Sequence, residues 1–181
     1  MHKSLTYRLL GCFLGLALTL SVPQYLTFPE EVVPAVAAPQ SPAPDSTIIR
    51  YARRYRTTPA IAQVIVTKAN KYRVPHSIAF RLVRTESQFN PRAVSPVGAL
   101  GLTQVMPATA RMLDPKATPE KLFDPAYNAE LGFRFLRQMH DRYDGDWWRA
   151  LVAYNQGPVY ADTTNRTTHK YADVVLHLTA R

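Results

Sequence analysis

A helical stripe that ends in an acidic residue is the most constraining feature of this 181-residue sequence. Apolar side chains recur every three or four residues at Ile78, Ala79, Leu82 and Val83, which is the spacing of one helix face. Glu86 continues this stripe, so its carboxyl group is expected to be poorly solvated. Poor solvation disfavours the charged form and raises the pKa, which makes Glu86 a candidate general acid.

The same residue also fits an ordinary surface glutamate. Most glutamates are exposed, and Arg84 and Arg92 are close enough in sequence to pair with Glu86. The sequence that follows Glu86 is what favours a functional role.

The segment after the stripe is predicted to form a loop that faces a ligand. Asn90-Pro91 ends the helix, and residues 95–101 supply turn residues and two glycines, which let the backbone pass close to another group. A second short helix is predicted to begin at Gln104. The end of the helix that carries Glu86, the loop after it and the start of the next helix together predict one wall of a groove.

Helical patterns continue through the rest of the chain, and no segment alternates like a strand. Predicted helices span residues 48–55, 59–72, 75–89, 104–113, 125–143, 147–155 and 168–178. Asp124 and Asp146 are predicted N-caps, and Gly157 is a predicted helix end. With 46% hydrophobic residues, the chain has enough apolar material for one core, so the predicted fold is mainly α.

The N-terminal part is predicted to lie outside this core. Lys3 and Arg8 precede an uncharged apolar run over residues 9–22, which is short for a membrane-spanning helix and typical of a secretory signal. Residues 1–37 are interpreted as a signal peptide cleaved after Ala37, or alternatively as a retained N-terminal anchor. Residues 38–46 are a Pro/Ala-rich linker, and residues 47–181 form the folded domain. The chain is therefore predicted to be exported.

Cysteine and histidine usage excludes several kinds of site. The single cysteine, Cys12, lies in the predicted signal segment, so the exported domain has no disulfide and no cysteine nucleophile. His76, His140, His169 and His177 do not follow a ligand spacing. We predict no metal and no cofactor.

The formal net charge of +9 favours a polyanionic partner. The only dense basic cluster is Arg50, Arg53, Arg54 and Arg56, and no nucleic-acid-binding motif accompanies it. Because export also argues against nucleic acid, that class of partner is not predicted.

Three motifs carry a resemblance to a known family. The first resembles the leading signature of the soluble lytic transglycosylase catalytic domain, which has a lysozyme-like fold. Its matching residues are Glu86, Ser87, Phe89, Pro91, Ala93, Ser95, Gly98, Ala99, Gly101, Leu102, Gln104, Met106, Pro107, Thr109 and Ala110. Two more follow in the family's order: Asn128 to Gly132 with Leu136 resembles N-x-x-x-G-x-x-x-L, and Ala153 to Gly157 resembles A-Y-N-x-G. The resemblance covers residues 48–178 and implies a single lysozyme-like domain with a substrate groove.

The resemblance implies a peptidoglycan lytic transglycosylase with one catalytic glutamate. Glu86 would protonate the glycosidic oxygen between N-acetylmuramic acid and N-acetylglucosamine, and would then act as base on the muramic acid 6-hydroxyl to leave 1,6-anhydro ends. The substrate's N-acetyl group would replace the second carboxylate of ordinary glycosidases, since Glu86 is the only acidic residue of the first motif. A hydrolytic muramidase and a noncatalytic peptidoglycan-binding or secretion-associated domain are the alternatives.

The first motif also implies three residues that bind substrate. Ser87 would hydrogen-bond the carboxylate of Glu86, or serve only as a small residue at the helix end. Gln104 would contact sugar with its amide, and Met106 would form an apolar floor beneath the sugar.

The later motifs imply further binding residues. Tyr154, with Asn155 beside it, would lie next to the catalytic acid, and the hydroxyl of Tyr171 would orient Glu86. The family's E-T-x-x-Y pattern departs here, because Thr167 replaces its glutamate. Asn128 and Gly132 are interpreted mainly as packing residues.

Partner and location follow from the same resemblance. Peptidoglycan glycan strands are the expected partner, in the periplasm or cell wall of a bacterium. Peptide carboxylates and anionic polymers of the wall would attract the positively charged domain.

Overall fold

A computed structural model of the protein describes residues 46–164 and 170–176. Those residues form α1 (Ser46–Tyr55), α2 (Pro59–Tyr72), α3 (His76–Ser87), α4 (Pro107–Leu113), a 3-10 helix (Glu120–Phe123), α5 (Pro125–Arg142), α6 (Trp147–Gln156), α7 (Pro158–Thr163) and α8 (Lys170–Leu176). They contain two isolated antiparallel bridges, Val94 with Leu100 and Leu100 with Val105, and no strand. The prediction of a mainly α fold is confirmed.

Several sequence predictions fall on other parts of the chain. The signal peptide or anchor over residues 1–37 and the linker over residues 38–45 lie outside the described residues, whereas Ser46 begins α1. The ends of the predicted helix 168–178 also lie outside them. None of the described helices combines the length and the apolar character that crossing a membrane requires.

Helix caps follow the predicted signals. The side chain of Asp124 accepts a hydrogen bond from the Tyr127 amide at 2.6 Å, so α5 begins at Pro125. Asp146 accepts bonds from the Trp148 and Arg149 amides at 2.9 and 3.2 Å. A cap of this kind typically stabilises a protein by about 1 kcal/mol.

Two predicted helix boundaries were wrong. α3 was expected to continue to Phe89, but it ends at Ser87 because Gln88 and Phe89 adopt positive φ angles of 52° and 66°. α4 was expected to begin at Gln104 and begins instead at Pro107. Gln104 itself has a φ of 49°, which breaks helical geometry ahead of the proline.

The connection after α6 contains a helix that the sequence prediction missed. Gly157 ends α6 with a φ of 89°, as predicted, and α7 begins at the next residue, Pro158. Proline suits the first position of a helix because its fixed φ is already helical. No helix was predicted between residues 155 and 168, whereas Pro158–Thr163 form a helix of six residues.

The core places the end of α3 against later parts of the chain. The predicted stripe of α3 is buried, with Ala79, Leu82 and Val83 fully inaccessible, and it packs against α8. α6 lies against α5, α7 and α8, and α2 lies against α5. A second apolar cluster, which includes Leu100 and Leu122, supports the loop between α3 and α4. Glu86 therefore lies where three segments that are distant in sequence come together.

Candidate active site

Glu86 lies in the last turn of α3 and is partly buried. Burial raises its pKa from an ordinary value of 4.5 to about 7, and a hydrogen bond from Tyr171 partly opposes this rise. The carboxyl group therefore keeps its proton in a substantial fraction of molecules at neutral pH. That protonation state is the one a general acid requires.

Tyr171 on α8 supplies that hydrogen bond, and its hydroxyl group donates to Oε1 of Glu86. Burial and the negative charge of Glu86 raise the pKa of Tyr171 well above 10. The phenol consequently stays protonated at physiological pH and remains a hydrogen-bond donor. α8 thus contributes a polar contact to the carboxylate in the last turn of α3.

Tyr154 on α6 provides a second phenol near Glu86. Its hydroxyl donates to the backbone oxygen of Thr103 at 2.6 Å, and its ring packs against Phe135 at a centroid distance of 5.6 Å. Burial raises the pKa of Tyr154, and so does the negative charge of Glu86. The phenol therefore stays protonated near neutral pH and keeps its hydrogen bond to the Thr103 carbonyl.

Ser87 is buried, and its hydroxyl is engaged away from the carboxylate. Oγ donates to the backbone oxygen of Leu102 at 2.7 Å and lies 3.2 Å from that of Val83. The expected hydrogen bond to Glu86 is not observed. Ser87 instead joins the end of α3 to the loop that precedes α4, since a hydroxyl has one proton to donate.

Gln104 holds the same loop in shape. Its Nε2 donates to the backbone oxygens of Gly101 and Ala93 at 2.9 and 3.2 Å, and its side chain is partly buried. Met106 occupies the N-cap position of α4 and is 39% exposed, which is unusual for a methionine side chain. Contact of either residue with sugar stays a prediction.

Of the two remaining positions, one is exposed and one lies outside the described residues. Asn155 is exposed near the end of α6, and its side-chain oxygen accepts a hydrogen bond from Gln156 at 2.8 Å. Its substrate contact also stays a prediction. Thr167, which replaces the family's glutamate, lies outside the described residues.

Asn128 on α5 has a larger role than the packing predicted for it. It is fully buried, and its Oδ1 accepts bonds from the amide and hydroxyl of Thr103 at 2.8 and 2.7 Å. Its Nδ2 donates to the backbone oxygens of Leu100 and Leu122 at 2.8 and 2.9 Å. One side chain thereby satisfies four backbone or hydroxyl groups and fixes the loop that Tyr154 contacts.

Gly132 lies one helical turn after Asn128 and lets the loop that contains Thr103 approach α5 closely. A β-carbon at this position would overlap the hydroxyl oxygen of Thr103 and lie 2.7 Å from its Cβ. The close contact is therefore between α5 and the loop. The four-residue spacing places Asn128 and Gly132 on one helix face, but it does not indicate which segment of the chain that face contacts.

The described residues thus form a helical domain in which a partly buried carboxyl group in the last turn of α3 accepts a hydrogen bond from a phenol, and this group is a candidate acid. The model of the transglycosylase SLT domain family matches residues 63–175, and the chain belongs to that family.

Relatives of known sequence include lytic transglycosylases. The soluble lytic murein transglycosylase of Escherichia coli K12 is 35% identical over 91 residues, which is 47% of this chain and 14% of that protein. The transglycosylase of Enterobacteria phage PRD1 is 38% identical over 105 residues, which is 58% of this chain and 38% of that protein. The chain thus spans well under two thirds of the length of these relatives.

Solved structures agree with the sequence comparison. The 70 kDa soluble lytic transglycosylase SLT70 from Escherichia coli superposes with a TM-score of 0.59 at 27% identity, over 70% of this chain and 24% of that one. An inactive glutamate-to-glutamine mutant of lytic transglycosylase Slt from Pseudomonas aeruginosa gives a TM-score of 0.54 at 30% identity, over 70% of this chain and 25% of that one. The described helices therefore adopt the fold of a lytic transglycosylase domain.

Proposed function

We propose that this protein is a peptidoglycan lytic transglycosylase in which Glu86 acts first as acid and then as base. The observation that carries the proposal is the partly buried carboxyl group of Glu86, whose pKa is raised to about 7 and which receives a hydrogen bond from Tyr171. Membership of the SLT family and relatives that act on murein support the same substrate class.

The first step is proton transfer to the leaving sugar. Protonated Glu86 donates to the glycosidic oxygen between N-acetylmuramic acid and N-acetylglucosamine, and the bond between that oxygen and C1 of muramic acid breaks. The electron pair stays on the leaving oxygen. The N-acetyl oxygen of the muramic acid stabilises the positive charge at C1, which is the role of a second carboxylate in other glycosidases.

The second step uses the carboxylate that the first step produced. Glu86 accepts the proton of the 6-hydroxyl, whose oxygen bonds to C1 and closes the 1,6-anhydro ring. The acid is regenerated and no water is consumed. Tyr171 supports this exchange, because its hydrogen bond stabilises the charged form of Glu86 while burial stabilises the neutral form.

A single-carboxylate route suits the surroundings of Glu86. Within residues 46–164 and 170–176, burial raises the pKa of Glu86 and the Tyr171 hydrogen bond lowers it, with no contribution from another carboxylate. A nearby carboxylate would raise the pKa further by charge repulsion. Gln104, Met106 and Asn155 complete the proposed sugar-binding groove, and the protein acts after export, in the periplasm or at the cell wall.

The test is digestion of purified peptidoglycan by the full chain, with mass spectrometry of the released muropeptides. Glu86→Gln should abolish release of anhydro products, and Glu120→Gln, at an exposed position, should leave it unchanged. Reducing-end products would indicate a muramidase instead. Absence of any release that depends on Glu86 would favour a noncatalytic wall-binding or secretion-associated domain.

A further inference from the structure

A cleft of about 1070 Å³ lies beside α3, and we refer to it as the arginine cleft. Among the described residues it is lined by Arg54, Tyr55, Arg56, Arg81, Arg84, Thr85, Gln88, Phe89 and Val174. Arg81, Arg84, Thr85 and Gln88 follow the spacing of one helix face, and that face differs from the buried stripe that ends at Glu86. The cleft is thus separate from the proposed acid, on the same helix.

Positive charge is concentrated around this cleft. Residues 46–85 contain nine lysines and arginines and no acidic residue. Lys68 and Lys71 of this segment pair with Glu130 on α5. By contrast, no ion pair between described residues joins any of the four cleft arginines to a carboxylate. The cleft therefore presents several positive charges that folding within the described domain does not neutralise.

The chemistry of the lining fits a ligand with carboxylate groups on a short chain. Guanidinium groups bind planar oxyanions through paired hydrogen bonds, and a concave wall brings several of them to one ligand. Tyr55 and Phe89 pack with their ring centroids 6.0 Å apart and give the cleft an apolar base. Arg81 is held by a hydrogen bond from its Nε to the Ser77 carbonyl at 2.8 Å.

The cleft is within reach of a group attached to a sugar at Glu86. Thr85 lines the cleft and precedes Glu86 directly, and α8 carries both Tyr171, which contacts Glu86, and Val174, which lines the cleft. A helix with its side chains is about 10–12 Å across, and an extended peptide spans roughly 3.3–3.6 Å per residue. A peptide of about five residues, which spans roughly 17–18 Å when extended, is therefore as long as the path around half of such a helix.

We propose that the arginine cleft binds the free carboxylates of the peptide attached to the muramic acid unit that lies at Glu86. The inference rests on the proposed function, because it takes the glycan strand as the ligand of the Glu86 site. It makes the protein selective for strands that still carry their peptides over strands from which the peptides have been removed.

The test measures binding separately from turnover. The full chain with Glu86→Gln is titrated into fluorescent glycan oligomers with peptides attached and into the same oligomers after amidase treatment. The cleft variant Arg54→Gln/Arg84→Gln is compared with Arg73→Gln/Arg149→Gln, which removes the same charge from exposed positions outside the cleft. A glycerol-phosphate polymer and anionic phospholipid vesicles are titrated in parallel, and thermal unfolding checks that each variant is folded.

The cleft variant should bind peptide-bearing oligomers about tenfold more weakly, since two guanidinium contacts are lost at a solvent-accessible site. Its affinity for peptide-free oligomers, and the affinity of the control variant for both, should change less than about twofold. Equal weakening for both kinds of oligomer, or none, would overturn the proposal. A cleft variant that lost more affinity for the phosphate polymer or the vesicles than for the peptide-bearing oligomers would assign the cleft to the other ligand. That result would also overturn the proposal.

Failure of this inference can be told apart from failure of the proposed function. Wild-type protein that forms anhydro ends but binds both oligomers alike would contradict the cleft and leave the reaction standing. Protein that forms no anhydro ends but loses peptide-dependent binding in the cleft variant would contradict the reaction and support the cleft.

Discussion

The hydroxyl group of Tyr171 donates a hydrogen bond to the carboxylate of Glu86, which lies 85 residues earlier in the chain. The bond joins α8 to the last turn of α3 and opposes the effect of burial on the same group. Burial raises the pKa of Glu86, and the hydrogen bond lowers it. Its pKa of about 7 lets the residue release a proton and take one back near neutral pH.

The rate of peptidoglycan cleavage should fall as the pH rises through about 7. Glu86 must be protonated to act as acid, and the protonated fraction decreases about tenfold for each pH unit above the pKa. Initial rates of muropeptide release measured from acid to alkaline pH check this. A rate that stayed constant well above pH 7 would show that Glu86 is not the group that donates the proton.

Replacing Tyr171 by phenylalanine should slow turnover and move the alkaline limb of the pH profile to higher pH. The lost hydrogen bond stabilises the carboxylate, so its removal raises the pKa of Glu86 further. A hydrogen bond to a charged group contributes about 1.5–3 kcal/mol, which corresponds to a rate loss of roughly 10- to 100-fold.

Tyr51→Phe is the matched control, because it removes the same hydroxyl group from a tyrosine that makes no hydrogen bond to Glu86 within the described residues. The Tyr51 ring stacks on Phe80 with centroids 4.5 Å apart, and this packing is kept in the variant. Circular dichroism should show both variants folded. An unchanged rate and pH profile in Tyr171→Phe would remove the proposed role of Tyr171.

Replacing Glu86 by glutamine should stabilise the folded protein at alkaline pH. The pKa of Glu86 is higher in the folded state than its ordinary value of 4.5, so ionisation favours the unfolded chain as the pH rises from 4.5 through about 7. The amide of glutamine does not ionise, so the variant does not lose this stability as the pH rises. Urea unfolding at about pH 8 should give Glu86→Gln an advantage of up to roughly 3 kcal/mol, and the advantage should vanish near pH 4. An advantage that is independent of pH would contradict the assigned pKa.

Replacing Asn128 by alanine should destabilise the protein by about 3 kcal/mol. The change leaves the Thr103 amide and the Leu122 carbonyl without their buried partner, and each such group is expensive to leave unsatisfied. The Leu100 carbonyl loses one of its two bonds and keeps the one from the Val105 amide. Urea unfolding measures the loss. Asn70→Ala is the control, since it removes an exposed hydrogen bond to His76 and should change stability by less than about 1 kcal/mol. Equal losses in the two variants would show that the buried network contributes little.

Features set by neighbouring residues could be predicted from the sequence. The buried stripe of α3 and the caps at Asp124 and Asp146 depend on side chains within a few positions of each other. The helix after Gly157 was missed because its six residues are too few to show a helical period.

Contacts between distant segments could not be derived from periodicity. The network around Asn128 joins α5 to a loop 25 residues earlier, and nothing local to either segment indicates it. The bond of Ser87 to Leu102 likewise depends on how the loop returns to α3. The family resemblance placed Tyr171 beside Glu86, which spacing along the chain could not do.

The most direct test of the account is cleavage of peptidoglycan in water enriched in oxygen-18, followed by mass spectrometry of the new muramic acid ends. Internal attack by the 6-hydroxyl predicts ends that are one water lighter than the reducing sugar and contain no heavy oxygen in wild-type digests, with none formed by Glu86→Gln. New ends that carry oxygen-18 at C1 would show that water is the nucleophile and would contradict the proposed reaction.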